Sequence, residues 1–473
     1  MDVTRRGLGV LGAALSVAGA SRAAPARPLD VIVLGAGVSG LNTAWLLERE
    51  GLSVRVLEGR KRVGGRVHTL FDQPGLPEMG FNSMAAGYGR GLDAAKRAGV
   101  ELYDVAPRFM KYARQELVLG GRVLTREQWA ASPANPFPEG RKTLMPWEIT
   151  GRVIHERNPL ADWSAWADPK NAGLDVSLHD FLQAQGLSDA AIHLAVDTSP
   201  YYGTTADDIS ALMYEFSDGW VKTQIASGPG SFVVRGGNER LPQAMARLLK
   251  GDLLLDREVL GVSSDSTGAT VVCRDGSVHR AKSVVCSLPF STLRHVKIDP
   301  ALTGPQARAV ETIPYQPLSM IFLTVKSPFW EVDRLSPSMW TDGVAGTVLA
   351  QRFGKTDEEV TGLIVQARGD LAQYWDRLGR QEATRRVIAD LETLRPAAKG
   401  QLVGAAYHSW MLEPFNAGDW AYFGPGQVTA FARTMAAPAG RVHFCGEHTA
   451  TANRGLEGAL ESSERVALEI LSA

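Results

Sequence analysis

Cysteine is scarce in this chain. Cys273, Cys286 and Cys445 are the only three among 473 residues, too few and too scattered for a disulfide framework or a zinc site. Cys273 and Cys286 stand in apolar runs, where a thiol behaves as a small inert hydrophobe. An excess of either charge is also missing. Fifty Lys and Arg against 51 Asp and Glu leave a net charge of −1, which removes the electrostatic argument for nucleic acid or an anionic membrane surface as a partner. There is no block of like charges, no internal repeat and no low-complexity tract. No apolar stretch is long enough to span a membrane in the mature protein. Neither an activated nucleophile nor a metal-ligand cluster stands out. The remainder is ordinary for a globular protein with a large core, 45% hydrophobic and 21% charged residues. The length allows about three domains of common size or two large ones.

The first residues are expected to lie outside the fold. "MDVTRRGLGVLGAALSVAGASRAAPA" sets Arg5-Arg6 before a run of apolar and small residues. Ala24-Pro25-Ala26 then offers a small-x-small cleavage pattern. The arginine pair resembles a twin-arginine export signal, although Gly9 and Val10 replace the usual leucine and lysine. Residues 1–27 are therefore expected to be an export signal, with a periplasmic destination. That route suits a protein exported folded and already carrying its cofactor.

From residue 28 onward, three stretches alternate strand and helix, and two between them do not. Residues 28–105, 230–305 and 400–473 carry the α/β pattern. Examples are "DVIVL" before a helical run, "GGNERLPQAMARLL", and the closing "VHFC" followed by a long amphipathic helix. Residues 106–229 are richer in Trp, Pro and helical patterns such as "SLHDFLQAQGL". Residues 306–399 pass from a β-rich run, "SMIFLTVKSPFW", to a helical one, "RQEATRRVIADLETL". The simplest arrangement is one nucleotide-binding α/β domain assembled from three pieces, with an α+β substrate domain assembled from the two insertions.

"VIVLGAGVSGLNTAWLL" holds the G-x-G-x-x-G pattern at Gly35, Gly37 and Gly40, between an apolar strand and a helix. Gly35 permits the tight turn, Gly37 admits a pyrophosphate to the backbone, and Gly40 permits close helix–strand packing. The helix start supplies free N–H groups and a positive dipole end. Glu58, 18 residues beyond Gly40, ends the second predicted strand, where a carboxylate accepts hydrogen bonds from ribose hydroxyls. In "LEGRKRVGGRVHT", Arg60 and the run Gly64-Gly65-Arg66 follow at once. Arginines there are charge-assisted donors to a pyrophosphate.

Taken together, these segments resemble the flavin-containing amine oxidase family, which has an E-x-R…G-G-R segment after the fingerprint. The likeness extends to "RGGNERLPQAMARLL", "SVVCSLPFSTLRHVKIDPAL" and "FCGEHTATANRGLEGALESSERVALEIL", in the same order. It is strong in the nucleotide-binding pieces and weak in the insertions. The resemblance implies a Rossmann-like FAD domain. It assigns Gly35, Gly37, Gly40, Glu58, Arg60, Gly65 and Arg66 to the adenosine and pyrophosphate, and the backbone of Val259 to the adenine. Gly446 and Glu447 fall to the ribityl-phosphate region, and the backbone of Leu456 to the pyrimidine ring. A second glycine-led helix, "RGLEGALESSERVALEI", would then place a positive end near the ring. His443 and His448 are expected to be structural.

For such proteins the chemistry is removal of a hydride from the carbon beside an amine nitrogen, followed by hydrolysis of the imine. A dry apolar pocket for the neutral amine is the main requirement. By the resemblance, Trp420 is one aromatic wall of an amine cage. The opposite wall falls on Gly455, leaving that side open. Asp419 stands where some monoamine oxidases link flavin through cysteine, so FAD is expected to be noncovalent. Met320 occupies the place of a lysine that serves reaction with dioxygen, so another electron acceptor is open. Asn82, in "EMGFNSMAAGYGR", is expected to approach the ring front. No arginine there argues for a carboxylate on the substrate, which favours an amine lacking one. A desaturase or C–C dehydrogenase on the same fold is the alternative that Met320 and Gly455 suggest. A redox-inert flavin-binding protein is a more distant one.

Overall fold

The computed structural model describes residues 29–111, 115–354, 356 and 359–472. The export signal expected over residues 1–27 lies outside the described residues.

The first strand, Leu29–Leu34, is a continuous apolar run from Val31 onward, buried over the same residues. Such a run suits a strand covered on both faces in a parallel sheet. It pairs in parallel with Val54–Leu57 on one side and with Val278–Cys286 on the other. Val278–Cys286 is long enough to take two further partners on its free edge. Its first half pairs antiparallel with Ala269–Cys273, and its second half in parallel with Val442–Phe444. The full sheet has eight strands. Strands from near residue 30, from near 280 and from near 443 therefore share one sheet, and the fold is mixed α/β.

Two helices cover one face of this sheet. Val38–Arg49 follows the first strand, and Gly455–Leu471 is the last helix. They pack side by side, where Asn42 donates through Nδ2 to Ser463 Oγ at 2.8 Å. The buried stripe Leu456, Leu460, Val466 and Ala467 joins Leu41, Ala44 and Leu47 in one apolar core. Glu457 fixes the last helix to a third. Its carboxylate accepts the backbone N–H groups of Arg90 and Gly91 at 3.0 Å each, at the start of helix Gly89–Ala98.

A second sheet of seven strands is built mainly from antiparallel pairs. Met339–Thr341 runs parallel to Glu116–Leu119, so both insertions contribute to it. Helices Gly369–Leu378 and Arg380–Leu394 pack on this sheet through Ala372, Trp375, Ala383, Val387 and Leu391. Here the expected division at residue 400 needs correction. Leu402–Ser409 pairs along its length with Leu318–Val325, so the second sheet reaches to residue 409. Hydrogen-bond register, invisible in composition, sets that limit. No helix among the described residues is long and apolar enough to cross a membrane.

Candidate active site

Four of the parallel strands point their carboxyl ends at one cavity. Each chain continuation lines it: Gly35 after the first strand, Glu58 after the second, Ser287 after Val278–Cys286, and Gly446 after Val442–Phe444. Ligands of open α/β sheets bind at such a crevice. The cavity measures about 610 Å³. Val259 and Arg257 line one part of it, and Trp420, Gly455 and Leu456 another.

At the first turn, Gly35 has φ +96°, in the region that favours glycine. Its N–H donates to Leu57 O at 2.7 Å. Gly40 sits under the turn rather than in the cavity. A Cβ on it would lie 2.1 Å from the carbonyl oxygen of Gly35 and 2.7 Å from Ser287 Oγ. Gly37 lines the cavity, and a Cβ there would meet nothing within 4 Å. Gly65 is beside it, and a Cβ there would meet only the Gly37 Cα, at 3.5 Å. Glu58 is buried, and its carboxylate accepts from Ala36 N at 2.7 Å and from Arg60 N at 2.9 Å. One side chain thus locks the glycine turn to the segment that follows the second strand. It still presents lone pairs to the cavity.

Arg60 forms ion pairs with Glu413 at 3.2 Å and Glu58 at 3.7 Å, lies over Phe415, and donates to Asn416 Oδ1. Its Nε is buried without a protein partner. Arg66 donates through Nη1 to Glu447 Oε1 at 2.8 Å and to the carbonyl of Asp419 at 2.6 Å. The same Glu447 oxygen accepts from Ala421 N at 3.0 Å. Burial works against both charges, but their mutual attraction outweighs it. Arg66 is held above its ordinary pKa and Glu447 below. This pair ties the G-G-R segment, the "GDWAY" segment and the last strand together.

The last helix begins at Gly455, which has φ +56° and space for a Cβ. Gly455 and Leu456 bring its first turn, with its unpaired N–H groups, to the cavity wall. Trp420 lines the same cavity and stacks on Tyr201, with ring centroids 5.2 Å apart and 27° between planes. Tyr202 meets Trp420 edge-on at 6.3 Å. Asp419 also lines the cavity, and burial pushes its carboxyl up to about 7, against the pull of Arg66 and Arg368. Asn82 lines both this cavity and a smaller adjoining one of about 240 Å³. Met320 belongs to the smaller cavity, where Gly80 and Asn82 connect it to the larger. Lys326 donates to Gly400 O on the exterior.

His443 pairs through Nδ1 with Glu469 at 3.2 Å. His448 packs edge-on against Phe290, and burial lowers its pKa to about 3. Several cavity residues escaped sequence reasoning. Ser287 donates to Leu34 O at 2.7 Å and closes the first turn from the opposite strand. Phe415 and Asn416 floor the site near Arg60. Tyr201, which stacks on the cavity residue Trp420, was missed as well. The paired tyrosines of "SPYYG" were the one available signal for it.

The donor set fits a dinucleotide flavin. There is a glycine turn open to the cavity, a buried carboxylate beside it, an arginine with an unspent buried N–H, and a second helix start at the far part. The relationships of the chain agree. It is 25% identical over 475 residues to the L-amino-acid oxidase of Gloydius halys, covering 94% of this chain and 90% of the relative. It is 26% identical over 471 residues to the flavin-containing amine oxidase B of Sus scrofa, covering 94% and 86%. The cyclohexylamine oxidase from Brevibacterium oxydans IH-35A has the same fold, with TM-score 0.75 and 21% identity over 94% of this chain and 99% of that one. The family model for flavin-containing amine oxidoreductases matches residues 38–471. The chain belongs to that family and is an FAD-dependent oxidoreductase of amines.

Proposed function

We propose that the protein holds FAD noncovalently and oxidises the carbon beside the nitrogen of a small-molecule amine. The observation that carries this reading is the convergence of both glycine-led helix starts on one cavity. Trp420, which stacks on Tyr201, stands at its other part. Gly35, Gly37, Glu58, Arg60, Gly65 and Arg66 would hold the adenosine and pyrophosphate, with the Val259 backbone at the adenine. Gly446 and Glu447 would meet the ribityl phosphate, and the Leu456 backbone the ring. Gly40 acts through packing alone. FAD, when bound, accepts the electron pair that leaves with the hydrogen on the amine carbon.

The protein's own part is placement and exclusion of water. Trp420, braced by stacking on Tyr201, forms a wall against which an amine lies by apolar contact. The buried Arg66–Glu447 pair keeps the segment before Trp420 in register. Asp419, held up to about 7, is able to take the ammonium proton and leave the amine neutral for oxidation. The amine becomes an imine, which water converts to a carbonyl compound and ammonia. Met320 brings no ammonium to the adjoining cavity, which supports slow use of dioxygen and room for another acceptor. With Arg5 and Arg6 as its motivation, export to the periplasm is part of the same proposal.

Acid precipitation tests the binding mode. All flavin should appear in the supernatant as FAD, and flavin retained in the pellet would refute noncovalent attachment. Stoichiometric carbonyl product and ammonia from a consumed amine would support the reaction.

A further inference from the structure

We propose that the smaller cavity is a specificity subsite for an uncharged hydrogen-bonding group, most simply a carboxamide, at the end of the substrate away from its amine. This deepens the amine-oxidising reading of the site above and rests on it.

This cavity of about 240 Å³ lies on one face of the second sheet. Side chains alternate between the two faces of a strand. In Gly362–Arg368, Leu363, Val365 and Ala367 enter the apolar core shared with the helices Gly369–Leu378 and Arg380–Leu394. Ile364 and Gln366 take the other face and line the cavity. Met320 pairs with Gln366 across the strands and lines it too. On the next strand, Thr347–Gln351, Val348 joins the core while Leu349 and Gln351 line the cavity. Polar side chains thus interrupt a face that a closed apolar core would fill.

Four carboxamides line this small space, Asn82, Gln115, Gln351 and Gln366. Among the described residues each keeps hydrogen-bonding capacity unspent. Gln115 donates through Nε2 to Met339 O at 3.1 Å, and its Oε1 accepts nothing. Gln351 is only 6% exposed; it donates through Nε2 to Gly75 O at 3.3 Å, and its Oε1 accepts nothing. Gln366 accepts one long contact of 3.4 Å from Arg368, and its Nε2 donates to no protein atom. The Asn82 side chain bonds to none of these residues. A polar group left unpaired in such a place is costly, so a ligand that completes the set is favoured. The charged neighbours are already committed. Glu78 accepts from Thr69 Oγ1 at 2.8 Å and from Asn238 N at 2.7 Å, and burial pushes its carboxyl up to about 8, neutral at pH 7. Arg352 donates through Nη1 to Arg108 O at 2.7 Å. A carboxamide both donates and accepts, which matches the free Nε2 and Oε1 atoms. Gly80 and Asn82 line both cavities, and Gly80 adds no side chain to the partition. A substrate whose amine lies by Trp420 extends past Asn82 into the smaller space.

The test compares amines of one shape that differ only in the far group. These are 5-aminopentanamide, its apolar isostere 5-methylhexylamine and the ionised 5-aminopentanoate, with homologues one methylene shorter and longer. Holoenzyme is titrated with each anaerobically, followed by the visible flavin bands, and kcat/KM is measured with an electron acceptor in excess. At one chain length or more, the wild type should favour the amide over the isostere by roughly 10-fold or more, the worth of two neutral hydrogen bonds, and should favour it over the acid. Gln366→Leu and Gln115→Leu should each lower the amide-to-isostere ratio by roughly 5- to 10-fold, mainly through KM. Should one variant fail to fold, the other and the wild-type ranking decide. An isostere or acid used as well as the amide at every length would mean that the cavity holds water only or takes a charge, and either result would overturn the inference. So would a ratio unmoved by both substitutions. Amide-selective perturbation of the flavin that Gln366→Leu removes, without oxidation of any amine, would leave the subsite standing and count against the amine-oxidising reading instead.

Discussion

Glu58 shows how one side chain serves fold and ligand together. Each carboxylate oxygen accepts one backbone N–H, from Ala36 and from Arg60. The remaining lone pairs face the cavity. Glu58→Ala should weaken FAD binding by roughly 10- to 100-fold, the worth of a lost charge-assisted hydrogen bond. A fluorescence titration of apoprotein with FAD measures it, and an unchanged Kd would remove Glu58 from the site. Met320 poses the opposite case, an apolar residue in a cavity that adjoins the site. Met320→Lys should speed reoxidation of the reduced enzyme by dioxygen in stopped flow. An unaltered rate would mean that acceptor choice is made elsewhere.

At the scale of elements, two glycines three residues apart make different demands. A Cβ at position 40 would press to 2.1 Å on the backbone oxygen of Gly35, whereas one at position 37 would enter open space. Gly40→Ala should therefore lower apoprotein stability by about 1–3 kcal/mol, as overpacking does. Gly37→Ala should leave the melting temperature nearly unchanged and act on FAD affinity. Equal melting shifts would contradict this division of roles. The helix Ala211–Ala226 carries a separate liability. Glu215 is fully buried, neither oxygen has a protein partner, and burial raises its pKa from 4.5 to about 7. The folded state thus holds a proton that the unfolded state releases. Stability from this group is fully present below about pH 4.5 and is lost as pH rises through about 7, on the order of 3 kcal/mol. Glu215→Leu should flatten that part of the stability–pH curve and stabilise the protein at pH 8. A denaturation series from pH 4 to 8 reads both, and an unchanged slope would refute the assignment.

For the molecule as a whole, the legible parts were those that local chemistry writes into the chain. The strand–turn–helix at Leu29–Arg49 and the helix at Gly455–Leu471 follow from apolar periodicity and glycine placement. The convergence of Gly35, Glu58 and Gly446 is a property of a parallel sheet, whose carboxyl ends share one edge. The capture of Leu402–Ser409 by the second sheet was not legible, because strand partners are chosen across more than 75 residues of chain. Tyr201 was missed for the same reason. It meets Trp420 only through tertiary packing.

The central claim is that this cavity couples a bound FAD to the oxidation of amines. Anaerobic mixing of the purified protein with a panel of amines and amino acids, followed in the visible spectrum, tests it most directly. The account predicts a yellow protein whose flavin bands bleach with at least one amine and return when an electron acceptor is admitted. Folded protein without flavin, or flavin that no amine reduces, would contradict it.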